Sequence, residues 1–313
     1  MKSAIDSSAG EDLGADFKKA LDDGWLPIRE VARQTGVNAI TLRAWERRYG
    51  LIVPQRTPKG HRLFSAEHVQ RILTILTWLN RGVAVSQVKQ LLDTPQPHSA
   101  AVENDWHVLR SALLQAVTLL NERSLDDTVN QAIALYPPQT LCEHLLMPLL
   151  AELEQRWQGQ FGAQMERVFF HSWLRSKFGA RIYHNNRQLR GSPLLLINHS
   201  DRPLEPYLWL TAWLISSADC PVEVFDWPLP TGELALAIDH LQARGVLLYS
   251  STAINLAQLP KLLNGVSCPK MIAGPTVCIH HAELTLKTSE IADLSLAEDP
   301  LSAHRQWAQR GLY

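Results

Sequence analysis

Arg43 and Arg47 stand four residues apart with Arg48 beside them, and Arg56, Lys59, His61 and Arg62 follow closely. At i and i+4 the first two guanidinium groups share one face of a helix. A guanidinium fork binds phosphate or guanine through two parallel hydrogen bonds, so the pattern points to a reader of duplex DNA. Elsewhere, reactive residue types occur without the partners their chemistry needs. His280-His281-Ala282-Glu283 has no third positioned ligand, which predicts a surface or helix-capping role rather than a metal site. Ser250-Ser251-Thr252 has no matching His–Asp pattern to activate a nucleophile, and Gly274-Pro275-Thr276 is too short for a phosphate loop. No catalytic residue and no metal ligand is assigned, and the chain is read as a non-enzyme.

The balance of charge supports that reading. The 313 residues carry a net charge of −1, but residues 25–95 hold eleven Lys and Arg against four acids. That stretch is therefore +7 and the remainder −8. A small basic module beside a mildly acidic body is the footprint of a polyanion-binding domain joined to a regulatory partner. Hydrophobic residues make up 46% and charged residues 19%, an ordinary globular composition sized for two or three domains. No apolar run approaches the roughly 18–20 residues that span a bilayer. Residues 1–24 are acidic, without the apolar stretch of a signal peptide, and are expected to form a disordered tail. Cys142, Cys220, Cys268 and Cys278 lie in apolar settings without a C-x-x-C pair, which predicts small buried thiols in a reduced cytoplasmic chain.

The elements that must position the cations are short. Ile28, Val31 and Ala32 form the stripe of a first helix that begins near Pro27 and ends at Gly36. Asn38 can cap a second, on which Leu42, Trp45 and Tyr49 share the core face opposite Arg43 and Arg47. Two such helices across a Gly-containing turn make a helix-turn-helix. Leu51 to Arg56 and His61 to Phe64, around Thr57-Pro58-Lys59-Gly60, read as a β-hairpin wing that would follow the DNA backbone. Ser65 caps a third helix with a core stripe from Val69 to Leu79, Gly82 breaks it, and Ser86 opens a fourth through Leu92. Arg29 and Arg33 are expected to be solvated or to graze phosphate.

Ile28-Arg29-Glu30-Val31-Ala32, Thr41 through Leu51, and Arg56 through Phe64 together resemble the DNA-binding domain of MerR-family transcription regulators, in one register over residues 25–93. The resemblance implies DNA contact by Arg43, Arg47, Arg48, Arg56, Lys59 and Arg62, with Thr41, Tyr49 and His61 beside them. It also implies double-stranded DNA and RNA polymerase as partners, a homo-oligomer on an inverted repeat, and a cytoplasmic, nucleoid-associated location. The long dimerisation helix of many family members does not follow. The pattern stops at Asp93, and Thr94-Pro95-Gln96-Pro97-His98-Ser99 opens a linker over 94–100.

Beyond the linker the spacing predicts four helices near 102–121, 125–135, 139–158 and 162–185, a four-helix bundle within 101–190. From 191 to 313 the period changes. Strands at Leu194–Asn198, Val222–Phe225, Val246–Tyr249, Lys270–Ala273 and Ala292–Leu296 alternate with helices near 204–217, 231–243, 255–263 and from Pro300. The fold class is multi-domain, α and α/β: winged helix-turn-helix, four-helix bundle, and a flavodoxin-like parallel sheet with its ligand edge at the C-terminal strand ends. Trp209 and Trp213 are assigned to core or interface.

That order of domains is similar to the cobalamin-dependent light-sensing regulators, of CarH/LitR type, and to the MlrA-type regulators of biofilm and curli expression. The resemblance implies a D-x-H-x-x-G motif after the first strand, whose His would be the lower cobalt ligand. The aligned residues run from Asp201 to Pro206, with Pro203 in place of the His and Pro206 in place of the Gly. Proline offers no metal-binding nitrogen and restricts the turn. Over the upper corrin face the photosensory relatives place a Trp and a Glu-His pair. Trp157 and Glu166-Arg167 match one residue short, with Arg167 replacing the His. These substitutions predict that no cobalamin is bound. The C-terminal region is then left for oligomerisation, a different small-molecule effector, or docking of a signalling protein. The alternatives are a cobalamin-dependent light-sensing regulator and, from another class, a signalling interaction hub or corrinoid enzyme.

Overall fold

The structure is a computed structural model that describes residues 24–57, 59–93, 102–158, 162–230, 232–263 and 265–313. The expected tail before Gly24 and the linker 94–100 lie outside these residues. The described chain forms two compact units. One comprises residues up to 113 together with 127–145, and the other 114–126 together with 146–313.

In the first unit, β1 (Leu26–Pro27) precedes α1 (Ile28–Thr35), and α2 (Ala39–Ala44) continues into a π-helical turn, Trp45–Tyr49. Asn38 caps α2 as its position predicts, its Oδ1 accepting from the Thr41 amide at 2.8 Å. The π turn ends at Gly50, whose φ of 57° places it in the left-handed region. The wing is β2 (Gln55–Arg56) and β3 (Arg62–Phe64), followed by α3 (Ala66–Asn80) and α4 (Val85–Asp93). Two differences from the sequence reading are local. Residues 51–54 are not strand, and Leu26–Pro27 pairs antiparallel with β3, giving a three-stranded sheet in the order β1-β3-β2. Ser65 and His68 form the capping box of α3. Val31, Leu42, Trp45, Ile72, Ile75 and Leu79 fill the core between these short elements.

Four helical stretches follow: α5 (Val102–Thr118), α6 (Glu122–Leu135), α7 (Pro138–Leu141), which passes through a π turn at Cys142–Leu146 into α8 (Met147–Trp157), and α9 (Ala163–Asn186). Residues 102–113 and 127–145 pack with the basic module. Trp106 Nε1 donates to the Gly82 carbonyl at 2.6 Å, and the Trp106 ring lies 4.4 Å from that of Tyr136. Thr140 donates to Asn80 Oδ1 at 2.9 Å.

The second unit holds a five-stranded parallel sheet: β4 (Leu194–Asn198), β5 (Val222–Phe225), β6 (Gly245–Tyr249), β7 (Lys270–Ala273) and β8 (Leu294–Ala297), ordered β5-β4-β6-β7-β8. This is the flavodoxin-like order, with the chain reversing direction across the sheet between β4 and β6. The last strand lies two residues later than expected at its start. The intervening helices are α10 (Pro206–Ser217), α11 (Leu234–Leu241), α12 (Leu259–Leu262), α13 (Thr276–Ile279), α14 (His281–Glu290) and α15 (Pro300–Gln309). α10 is apolar all round because it is covered on all sides, and Trp209 and Trp213 are both core. On one face of the sheet Leu195, Ile197 and Leu248 pack against Leu234, Ile238 and Leu284. Of the four cysteines, Cys142 and Cys220 are buried, Cys268 is half-buried and Cys278 is exposed, which corrects the expectation of four buried thiols. Cys278 lies on the outer side of the short α13, whose buried residues are Thr276 and Val277. Among the described residues no helix is long and apolar enough to cross a membrane, and no three His, Cys, Asp or Glu cluster as metal ligands.

Candidate nucleic-acid interface

α2 and its π turn divide cleanly. Leu42 and Trp45 are buried, while Arg43, Arg47 and Arg48 are exposed. Tyr49 is half-buried, swung from the core face by the extra residue of the π turn. Thr41 is 0% exposed, and its side chain sits inside the unit rather than on the cationic surface. This takes its hydroxyl out of reach of a duplex. Trp45 is fixed by more than packing, since its Nε1 donates to the Leu135 carbonyl at the end of α6, at 2.8 Å.

Glu46 organises the wing. Its two carboxylate oxygens accept from Arg56 at 2.6 Å and from Arg62 Nε at 2.5 Å. Burial would raise the Glu46 carboxyl, but the hydrogen bonds and charges of Arg62 and Arg56 outweigh it and hold it below the usual carboxylate range. Two of the sequence-assigned cations therefore clamp the wing to α2. Lys59 and His61 are exposed at the wing tip, where Thr57 closes the turn by donating its amide to the His61 carbonyl at 2.9 Å. A groove of about 240 Å³ runs between wing and helices, lined by Arg29, Arg43, His61 and Arg62 among others. Arg33 turns away to Glu30. The sequence reading missed the clamp, although a lone acid among five arginines was a usable signal.

In the second unit the C-terminal strand ends are bonded among themselves. Asn198 Nδ2 donates to the carbonyls of Arg202 and Asp226 at 2.9 and 3.1 Å, and its Oδ1 accepts from Ser200. Ser251 donates to Glu205 at 2.5 Å. Gly274 lies so close that a Cβ there would meet the Ser250 carbonyl at 2.6 Å and the buried Tyr249 ring at 2.9 Å. Beside these ends opens a cavity of about 680 Å³. One face of α9, including Arg167, His171 and Arg175, forms one wall, and the loop Asp201 to Leu204 with Trp227 forms the other.

The residues aligned with a corrinoid site do not assemble one. Pro203 lines the cavity and has no nitrogen for a metal. Pro206 is buried in the first turn of α10. Trp157 is buried against Phe170 and His171, with ring centroids 5.9 and 5.5 Å away. Glu166 is buried and bonded to Arg156 at 3.0 Å. Arg167 and the loop Asp201 to Leu204 reach the cavity without supplying an imidazole at the aligned position, so the residues present do not fit a cobalamin held through a lower histidine.

Comparison with known proteins accords with the architecture. Residues 26–94 match the family model described as MerR HTH family regulatory protein, and residues 109–182 match one described as B12 binding domain. The HTH-type transcriptional regulator MlrA of Escherichia coli (strain K12) is 34% identical over 197 residues, which are 63% of this chain and 78% of the relative. MlrA of Salmonella typhimurium (strain LT2) has the same identity and coverage. The HTH-type transcriptional repressor CarH of Myxococcus xanthus is 28% identical over 148 residues, 42% of this chain and 47% of the relative. With a basic helix-turn-helix, a wing, a B12-binding-type helical segment and a parallel sheet in one chain, this protein belongs to the MerR family of HTH-type transcription regulators.

Proposed function

We propose that the protein regulates transcription by reading duplex DNA with Arg43, Arg47 and Arg48 while Lys59 and His61 at the wing tip follow phosphate. The observation that carries this is the division of one short helix: three guanidinium groups outside, Leu42 and Trp45 inside, and Glu46 tying the wing to it. Arg56 and Arg62 serve chiefly to set the wing, and Tyr49 lies at the edge of the contact. In this organisation residues 25–93 are the reader, 101–190 a helical segment and 191–313 a sheet domain that works without a His-ligated cobalamin. The reader acts as a dimer or higher oligomer on an inverted repeat beside RNA polymerase, in the cytoplasm on the nucleoid. Footprinting over bound promoter fragments tests this. The Arg43→Ala/Arg47→Ala double variant is expected to lose at least ~10-fold in affinity, since each bidentate contact is worth about 1–3 kcal/mol. Unchanged protection by a folded double variant overturns the assignment.

A further inference from the structure

The 680 Å³ cavity of the second unit is lined by residues between Gln164 and Trp227, none of them in the basic module, and its size suits a small organic ligand. Its α9 wall is a single helical face: Arg167, His171 and Arg175 recur at four-residue intervals with Ser172 and Ser176 between them. Arg202 faces them from the loop after β4. Among the described residues, three guanidinium groups thus line one space against a single lining carboxylate, Asp201, which is exposed.

Their bonding differs in a telling way. Arg175 is paired with the buried Asp226 at 2.9 Å, and Arg167 stands 3.8 Å from Glu154. The Arg202 guanidinium has no hydrogen-bond or ion-pair partner among the described residues. His171 Nε2 is buried without a hydrogen bond and lies 4.0 Å from Glu154. Burial, and then the charges of Arg167 and Arg202, push the His171 imidazole down to about 4, so it is neutral. The opposite wall also offers apolar surface. Trp227 is 65% exposed, an unusual state for an indole, and Pro203 and Leu204 line the same wall.

We propose that the cavity is a site for a nucleoside phosphate, its base against Trp227 and its phosphate held by Arg202 together with Arg167 and Arg175. Guanidinium forks match phosphate oxygens bidentately, and an indole face stacks on a planar heterocycle. The Ser172 hydroxyl, which donates to the Val168 carbonyl at 2.8 Å, keeps its lone pairs for a ligand donor. The site takes the place that a corrinoid would need and selects by different chemistry. It stands independently of the DNA-reading proposal, because the binding assay contains no DNA.

Calorimetric titration of the full chain with AMP, GMP and their 3′,5′-cyclic forms tests the site, with a parallel thermal-shift series. At least one of the four is expected to bind and raise Tm. Arg202→Ala and Trp227→Ala are each expected to weaken it at least 5-fold while the far-UV spectrum and Tm of the free protein stay unchanged. Neither side chain is buried in a core, so both variants should fold. The matching nucleoside and inorganic phosphate are each expected to bind at least 10-fold more weakly. The proposal is overturned if none of the four nucleotides binds at millimolar concentration, if phosphate alone binds equally well, or if both variants bind like the parent.

Discussion

Glu46 lies among exposed cations, yet its side chain is only 14% exposed because Arg56 and Arg62 close over it. Charge-assisted bonds of this kind exceed neutral ones, though the half-exposed Arg56 lessens the gain. Replacement by glutamine is expected to cost about 1 kcal/mol at pH 7, read by urea unfolding. The pH dependence has a definite sign. A carboxyl whose folded pKa lies below its unfolded value of 4.5 contributes fully above that value and loses its contribution as pH falls through the folded one. Parent and Glu46→Gln should therefore converge in acid; a gap that widens below pH 4.5 contradicts the clamp. His304 has the opposite chemistry. Buried beside Tyr313, whose hydroxyl lies 2.6 Å from its Nδ1, it is pushed down to about 4 by burial and by Arg305. The unfolded chain then binds the extra proton between the usual 6.5 and about 4, so stability falls as pH drops through that window. By pH 5 the loss approaches about 2 kcal/mol, and His304→Gln should remove it.

At the scale of elements, what could be read beforehand was whatever local rules decide. Asn38 caps α2 because its side chain needs only the amide of Thr41. Leu194-Leu195-Leu196-Ile197 is strand because a parallel strand covered on both faces needs no polar alternation. What could not be read depends on partners distant in sequence. The i, i+3, i+7 spacing of Leu42, Trp45 and Tyr49 assumes an unbroken 3.6-residue period, and the π turn breaks it after Trp45 is bonded to Leu135, ninety residues away. The pairing of Leu26–Pro27 with β3 and the burial of Trp157 and Glu166 have the same origin. Two glycines separate backbone strain from crowding. At Gly50 a Cβ would meet only the flexible Lys89 Nζ at 3.5 Å, so Gly50→Ala carries the left-handed strain alone, about 1 kcal/mol. At Gly274, φ 100°, the same change adds a collision with the Ser250 carbonyl, and about 3 kcal/mol or more is expected. Equilibrium unfolding that ranked the two equally would show that the β6 and β7 ends are looser than the structure has them.

For the whole molecule, the separation of charge matters more than its sum. A chain at −1 would be repelled slightly by a polyanion, yet residues 25–95 present +7 to it and leave −8 elsewhere. Two kinds of cation within the basic stretch should then separate in their salt response. Each phosphate neutralised releases counterions and adds roughly 0.9 to the slope of log K against log salt, whatever the base sequence. Lys59, exposed at the wing tip on a flexible stem, has the position of a phosphate contact. Lys59→Ala is expected to lower the slope by about 0.9 and to weaken specific and random duplexes alike. Arg43 projects from the face of α2 opposite Leu42 and Trp45, where a guanidinium can reach a base edge. Arg43→Ala is expected to reduce the ratio of specific to random affinity by about 10-fold, with a smaller change in slope. Titrations of one operator and one scrambled duplex across 50–200 mM salt would measure both quantities. A Lys59 variant that altered sequence preference, or an Arg43 variant that altered only the slope, would exchange the roles of helix and wing.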